Sequence, residues 1–282
     1  MTETERKQII ALVQREVVPA IGCTEPIAVA LCVAKATETL GAKPEKIDVL
    51  LSANILKNAM GVGIPGTGMI GLPIAVALGA LIGKSEYQLE VLKDSSPNAV
   101  NEGKRFIGEK RINISLKEDI TEKLYIEVCC EAAGNKATAI IAGGHTTFIY
   151  IARNDDVFLN KQNTSCRETE EQTVDLTLRK VYDFAMNAPL DEIRFILETA
   201  RLNKAAAERS FDGNYGHGLG RMLRGTYEHK ILGDSVFSHI LSYTSGACDA
   251  RMAGAMIPVM SNSGSGNQGI SATCSCLCRG ER

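Results

Sequence analysis

One cysteine stands where a helix is about to begin, and that position suggests chemistry. Cys23 lies in the stretch VPAIGCTEPIA, between a glycine and a Thr-Glu-Pro run. Thr24 is a residue type favoured at a helix N-cap, and Glu25 and Pro26 suit a first helical turn. The dipole of such a helix lowers the pKa of a nearby thiol and favours the thiolate. We therefore expect Cys23 to be a metal ligand or a nucleophile; the alternative is a small buried apolar residue.

Two glycine-rich stretches have the composition of anion-binding loops. The first, GVGIPGTGMIG (61–71), matches G-x-G-x-x-G, but NILKNAM precedes it where a dinucleotide fingerprint requires a strand. We expect its N–H groups to hold a small anion rather than a nicotinamide nucleotide, with a plain tight turn as the alternative. The second, SNSGSGNQGI (261–270), follows strand-like MIPVM and should precede a helix, whose N-terminus would bind a carboxylate or phosphate. Its alternative is a flexible linker.

Composition narrows the class of protein. The chain has 282 residues, 45% of them hydrophobic, enough for one large or two modest domains. Its formal charge of −2, with no long run of one sign, argues against nucleic-acid or anionic-membrane partners. The longest apolar stretch, 69–83, is shorter than the roughly 20 residues of a membrane span and predicts a buried helix. Nine cysteines and a charged N-terminus without a signal peptide predict reduced thiols in a cytoplasmic protein.

The hydrophobic patterns predict an α+β fold with a mainly helical core and an inserted small α+β domain. Predicted helices cover 2–17, 25–40, 69–83, 97–109, 174–187, 189–209 and 234–247, and predicted strands cover 46–53, 87–94, 111–118, 123–133 and 136–153. The helical core is expected from 1–85 and 170–273, the inserted unit from 86–160, and an atypical tail from 274–282. Residues 153–173 read as a linker. The predicted helices 69–83 and 234–247 are apolar on all sides. Such helices need to be covered on every side, which a homo-oligomer would provide.

Four long motifs together resemble the L-cysteine desulfidase family, which is related to the alpha chain of iron–sulfur L-serine dehydratases. They are GCTEPIAVAL, NILKNAMGVGIPGTGMIGLPIA, AGGHTT and DARMAGAMIPVMSNSGSGNQGI, and the resemblance extends to about Thr273. It implies a [4Fe–4S] lyase that converts L-cysteine to pyruvate, sulfide and ammonia, or L-serine to pyruvate and ammonia. Three cysteines would hold the cluster and leave one iron open to the substrate. Cys23 matches the N-terminal cluster cysteine of the family.

The same resemblance implies a base that takes the α-proton and loops that hold the substrate. Lys57, in NILKNAM, is the first candidate base and His145, in AGGHTT, the second. Each has a structural alternative: Lys57 as a solvated or ion-paired lysine, and His145 as a hydrogen-bonded structural histidine. The predicted substrate-binding residues are Asn58, Gly63, Gly66, Thr67, Ser261, Asn262, Ser263, Gly264, Ser265 and Asn267.

The sequence departs from the family pattern after Thr273. The segment SATCSCLCRGER differs from the apolar helix that the family continues with, and this change predicts a truncation or a shifted reading frame. Cys274, Cys276 and Cys278 have a C-x-C-x-C spacing that is unusual for cluster ligands, so we interpret them as accidental. The alternative is that some of them join Cys23 as substitute ligands. A second functional hypothesis is therefore a non-catalytic protein that binds a small amino acid or interacts with another protein.

Overall fold

The computed structural model describes residues 1–161, 175–225, 233 and 235–280, with side chains described up to residue 275. The α-helices are α1 Glu3–Glu16, α2 Thr24–Leu40, α3 Ala53–Ala59, α4 Leu72–Ile82, α5 Pro97–Gly108, α6 Leu178–Asn187, α7 Leu197–Asp212, α8 Leu219–Met222, α9 Val236–Met252 and α10 Gly266–Gly280. The strands are β1 Pro19–Ile21, β2 Lys46–Leu51, β3 Ile112–Leu116, β4 Tyr125–Ala132, β5 Asn135–Ala142, β6 Phe148–Arg153, β7 Asp156–Asn160 and β8 Pro258–Met260. The predicted α+β class is confirmed.

A six-stranded sheet forms one face of the main core. Its order is β3-β2-β4-β5-β6-β7, with β2 and β3 parallel and the other neighbours antiparallel. Side chains along β4 alternate between faces, so Ile126, Val128 and Cys130 are buried while Cys129 lies on the opposite face. Helix α2 packs on the buried face, where the thiol of Cys32 donates a hydrogen bond to the carbonyl of Ala139 at 3.3 Å.

Two apolar helices fill the space behind the sheet. Helix α2 is buried along most of its length because it lies between the sheet and α4. Helix α4 is in turn enclosed by α2 and α5, so the apolar helix predicted from 69–83 is covered within the chain. No helix among the described residues is long and apolar enough to cross a membrane.

A second, smaller core joins α7, α9, α10 and β8. It contains Ala206, Ala207, Ala247, Val259, Ile270 and Cys274. The buried amide of Asn203 holds β8 in place, because its Oδ1 accepts from the N–H of Met260 at 2.8 Å. Strand β8 pairs antiparallel with β1, with Pro19 opposite Met260. This pairing brings the segment that leads into Cys23 beside the segment that leads into the 261–265 loop.

Several local predictions differ from the structure. Residues 87–94 do not form a strand: a 3-10 helix spans Ser85–Glu90, and the neighbouring Val91 and Leu92 are both buried. Strand β7 lies inside the predicted 153–173 linker, of which 162–173 fall outside the described residues. The helix predicted over 189–209 is a 3-10 turn at Arg194–Ile196 followed by α7.

The division into a helical core, an inserted α+β unit and a tail remains a prediction. The structure shows, however, that the sheet combines strands from two of these segments. Strand β2, from the first predicted core segment, pairs with β3 and β4 near the middle of the sheet. The inserted segment 86–160 therefore does not build the sheet by itself. At the other end of the chain, the backbone of α10 continues as a helix through 274–280, the segment described above as an atypical tail.

Candidate functional site

A cavity of about 340 Å³ opens where four parts of the fold meet. The N-terminus of α2 contributes Cys23–Glu25, the turn between β5 and β6 contributes His145, and α3 contributes Asn58. The end of α9 and the start of α10 supply the other wall. Its full lining is Cys23, Thr24, Glu25, Asn58, Val62, His145, Arg251, Met252, Ser263, Gly264, Ser265 and Asn267.

Cys23 reaches this cavity as a protonated thiol. It is 7% exposed, and its Sγ donates a hydrogen bond to Oε2 of Glu25 at 3.1 Å. Burial, and next the neighbouring carboxylate of Glu25, raise the pKa of the Cys23 thiol to about 11. The expectation of a thiolate was wrong because these two effects outweigh the opposing ones, the positive charge of Arg251 and the backbone N–H of Glu25. The predicted cap was also displaced by one residue: Cys23 is the N-cap of α2, and Thr24 is its first helical residue.

Glu25 is ionised at neutral pH although it is more than half buried. Burial works to raise its pKa, but donors around the carboxylate outweigh burial and the pKa is lowered. These donors are the Cys23 thiol, the Glu25 backbone N–H and the hydroxyl of Thr24, whose Oγ1 lies 3.1 Å from Oε2. The cavity therefore contains a carboxylate beside a thiol.

His145 is a neutral imidazole in the same cavity. Burial lowers its pKa below the ordinary 6.5, and the nearby positive charge of Arg251 acts in the same direction, against the opposing effect of Glu25. Its Nδ1 edge lies against Gly264, where a Cβ atom would collide with the ring. Gly264 also has a φ of +74°, which side chains disfavour, so both the backbone conformation and the contact with His145 require glycine here. A neutral histidine is able to accept a proton from a bound molecule.

Arg251 was not singled out from the sequence, although it lies in the quoted DARMAGAM motif. It is 5% exposed, and its Nη1 donates to Oδ1 of Asn267 at 2.9 Å. Its buried Nε has no hydrogen-bond partner, and no carboxylate of the described chain forms a salt bridge with it. An arginine among small and apolar residues just before a strand-like run was the signal that could have identified it, since arginine is rarely buried without a partner.

The 61–71 loop supports the cavity wall and does not bind an anion through the predicted groups. The N–H of Gly63 donates to the carbonyl of Met252 at 3.3 Å, and that of Gly66 to Gly254 at 3.0 Å. The hydroxyl of Thr67 is buried and donates to the carbonyl of Ile64. Because helix α3 enters this loop instead of a strand, the nicotinamide alternative also fails. These residues hold the chain after α9.

The remaining predicted site residues divide between the cavity and its supports. Ser263, Gly264, Ser265, Asn267 and Asn58 line the cavity. Ser261 is fully buried, and its Oγ donates to the carbonyl of Val18 at 2.7 Å. Asn262 closes the loop through backbone hydrogen bonds with Ser265 and is not part of the lining. Lys57 is exposed on α3, also outside the lining.

The described residues do not complete a binding site for an iron–sulfur cluster. Such clusters are held by several cysteine thiolates, and Cys23 is the one cysteine in the cavity lining. Within the part of the chain that the structure describes, no three His, Cys, Asp or Glu side chains are grouped to hold a metal ion. Cys274 is buried in the smaller core, while Cys166 and the side chains of Cys276 and Cys278 lie outside what is described.

Comparison with known proteins gives consistent matches. Residues 86–280 match the family profile described as serine dehydratase alpha chain. UPF0597 proteins from Bacteroides fragilis, Bacteroides thetaiotaomicron and Porphyromonas gingivalis are 85%, 79% and 50% identical, over 273, 273 and 279 residues. Each match covers 97% of this chain and 64% of the relative, so the chain spans less than two thirds of their length. Among solved structures, none matches the chain significantly.

Proposed function

The chain belongs to the serine dehydratase alpha chain family, and on this premise we propose that its cavity serves β-elimination from a small L-amino acid. The substrate would be L-cysteine or L-serine. The observation that carries the proposal is one cavity that collects a neutral imidazole, a thiol and opposite charges from three separate parts of the fold, namely the β5–β6 turn, the start of α2 and the end of α9. Pockets with a few convergent polar groups and perturbed pKa values are typical of active sites.

The proposed reaction begins with proton transfer from the substrate to His145. The neutral ring takes the α-proton, and the bond from C3 to sulfur or oxygen breaks with its electron pair on the leaving atom. The resulting 2-aminoacrylate tautomerises to an imine, which water hydrolyses to pyruvate and ammonia. Hydrosulfide is a weaker base than hydroxide and leaves more readily, so L-cysteine makes the smaller demand on the site. Lys57 is exposed outside the lining, which leaves His145 as the proposed base.

Cys23 remains the proposed cluster ligand that the family resemblance implies. Because the described residues supply one thiol of the required set, no step of the proposed elimination is assigned to a cluster. The charged groups of the cavity also support a second candidate function, a protein that binds a small amino acid without converting it.

The two functions are separated by one set of measurements on the purified protein. After anaerobic incubation with iron and sulfide, pyruvate and sulfide are measured with L-cysteine, pyruvate with L-serine, and cluster absorbance is recorded. The elimination predicts pyruvate formation that His145→Asn reduces about 100-fold or more, the usual contribution of a general base. His217→Asn is the matched control, because His217 is exposed and lies outside the cavity lining. Amino-acid binding without pyruvate supports the binding protein, and full activity of His145→Asn contradicts the proposed base.

A further inference from the structure

The cavity holds one positive and one negative side chain that do not pair with each other. Arg251 is the one cation and Glu25 the one anion among the described residues that line it. Their charged atoms form no salt bridge within 4.0 Å. Opposite charges that share a small cavity without neutralising each other leave both available to a ligand that carries both signs.

The cationic side is built from Arg251 and the start of α10. The guanidinium is almost fully buried, its Nε has no acceptor, and Nη2 makes no hydrogen bond with the described residues. The N–H groups of Gly266 and Asn267, the first two of α10, also have no acceptor in the described chain. Glycine at position 266 lets the Arg251 side chain lie against the start of α10, because a Cβ atom there would collide with the Arg251 Nε. An arginine beside free N–H groups at a helix N-terminus is a typical carboxylate site.

The anionic side is one oxygen of Glu25. Both side-chain donors, the Cys23 thiol and the Thr24 hydroxyl, reach the same oxygen, Oε2. Oε1 therefore accepts from no side chain of the described residues. An ammonium group is the natural donor for this oxygen.

We propose that the cavity is a clamp for a zwitterionic α-amino acid, with the α-carboxylate on Arg251 and the α10 N-terminus and the α-ammonium on Glu25. This inference rests on the proposed function and deepens it by assigning the groups that recognise the substrate class. A cavity of about 340 Å³ accepts a small amino acid. Because every group of the clamp lies in the described chain, the clamp binds its ligand without iron. His145, a neutral ring in the same cavity, adds no competing charge.

The test compares three small probes by calorimetry on the purified protein without added iron. L-serine carries both charges, L-serinamide lacks the carboxylate, and 3-hydroxypropionate lacks the ammonium group. We expect L-serine to bind at least about tenfold more tightly than either, since hydrogen bonds to charged groups contribute on that scale. Equal affinity for all three probes, or no binding of L-serine, would overturn the clamp.

A nearly isosteric variant tests the cationic side without leaving a buried charge. Asn267→Asp places a carboxylate where the amide oxygen lies 2.9 Å from Nη1 of Arg251, so it competes with the ligand. We expect a loss of about tenfold or more in L-serine affinity, with a melting temperature that is unchanged or higher. Asn101→Asp, an exposed position on α5, is the control for the added charge. Unchanged L-serine affinity in Asn267→Asp contradicts the assignment.

The outcomes distinguish failure of the clamp from failure of the lyase. Charge-dependent binding of L-serine without any pyruvate leaves the clamp standing and refutes the elimination. Pyruvate formation with a KM for L-serine that Asn267→Asp does not change refutes the clamp and leaves the elimination standing. On the anionic side, Glu25→Gln should reduce the preference for L-serine over 3-hydroxypropionate while leaving the preference over L-serinamide in place.

Discussion

The protonated thiol of Cys23 gives a prediction that the structure allows to be worked out in magnitude. The pKa of this thiol rises from its ordinary 9.0 to about 11, with burial as the first cause and Glu25 as the second. At pH 8, a thiol of pKa about 11 is ionised to about one part in a thousand, against about one part in ten at 9.0. A more basic thiolate is also about tenfold more nucleophilic over this range, so we expect alkylation of Cys23 about tenfold slower than that of an unperturbed thiol.

Replacing Glu25 by glutamine should accelerate this reaction by a limited factor. The carboxylate raises the pKa of the thiol both as the second cause after burial and through the hydrogen bond that it accepts, so its removal lowers that pKa. A pKa lower by about 1 increases the thiolate population about tenfold. After correction for the lower nucleophilicity, the alkylation rate of Glu25→Gln should rise about two- to threefold.

The assay follows iodoacetamide labelling at pH 8 by mass spectrometry of tryptic peptides. Cys23 and Cys32 share the peptide 16–35, and fragmentation separates them. Cys32 is fully buried in the core and serves as an internal reference that should stay unlabelled. Glu38→Gln removes the same charge from the other end of α2 and is the matched control, expected to leave the rate at Cys23 unchanged.

Two results would refute this reasoning. Labelling of Cys23 in the wild-type protein as fast as that of a free cysteine would mean that the helix dipole prevails and that the thiolate expected from sequence is present. A Glu25→Gln variant that reacts more slowly than wild type would mean that the carboxylate promotes ionisation of the thiol, opposite to the direction derived from its position.

Two further predictions concern pH and stability. Elimination requires neutral His145, and burial lowers the pKa of this ring below 6.5. We therefore expect kcat/KM to be independent of pH around pH 7 and to fall only as the pH drops below about 6.5. An acidic limb of the pH profile centred above 6.5 would contradict the assignment. Asn203→Ala should lower the free energy of unfolding by about 1–3 kcal/mol, because it leaves the buried N–H of Met260 without its acceptor. Urea denaturation measures this loss, and an unchanged midpoint would show that β8 does not depend on the Asn203 amide.

Local elements were predictable because their causes lie within a few residues. The capping box of Thr2 and Glu5 starts α1, and Gly41 ends α2 in a left-handed conformation, both as expected from residue type. The alternation in β4 likewise depends on the two-residue period of a strand. The strand expected at 87–94 failed because the apolar residues there pack against α2 and β1, and sequence spacing does not specify such partners.

The site was predictable in part for the same reason. Residue types and motif resemblance were enough to select Cys23 and His145 and to identify a polar loop before α10. Neither could indicate that N–H groups of the 61–71 loop donate hydrogen bonds to backbone carbonyls at and just after the end of α9. Packing decides which groups distant in sequence become hydrogen-bond partners. The same limit explains why Lys57 was selected and Arg251 was not.

By itself, the sequence determined most of the elements, the family and the chemical types that line the cavity, since these follow from local pattern and from side-chain identity. Only the tertiary structure decided which of those groups meet and in what charge state. The pairing of β1 with β8 brings Cys23 and Glu25 to the cavity that Arg251 lines. Burial then keeps the Cys23 thiol protonated and the His145 ring neutral, because desolvation depends on the whole surrounding fold. The same fold encloses the Arg251 Nε without a hydrogen-bond partner.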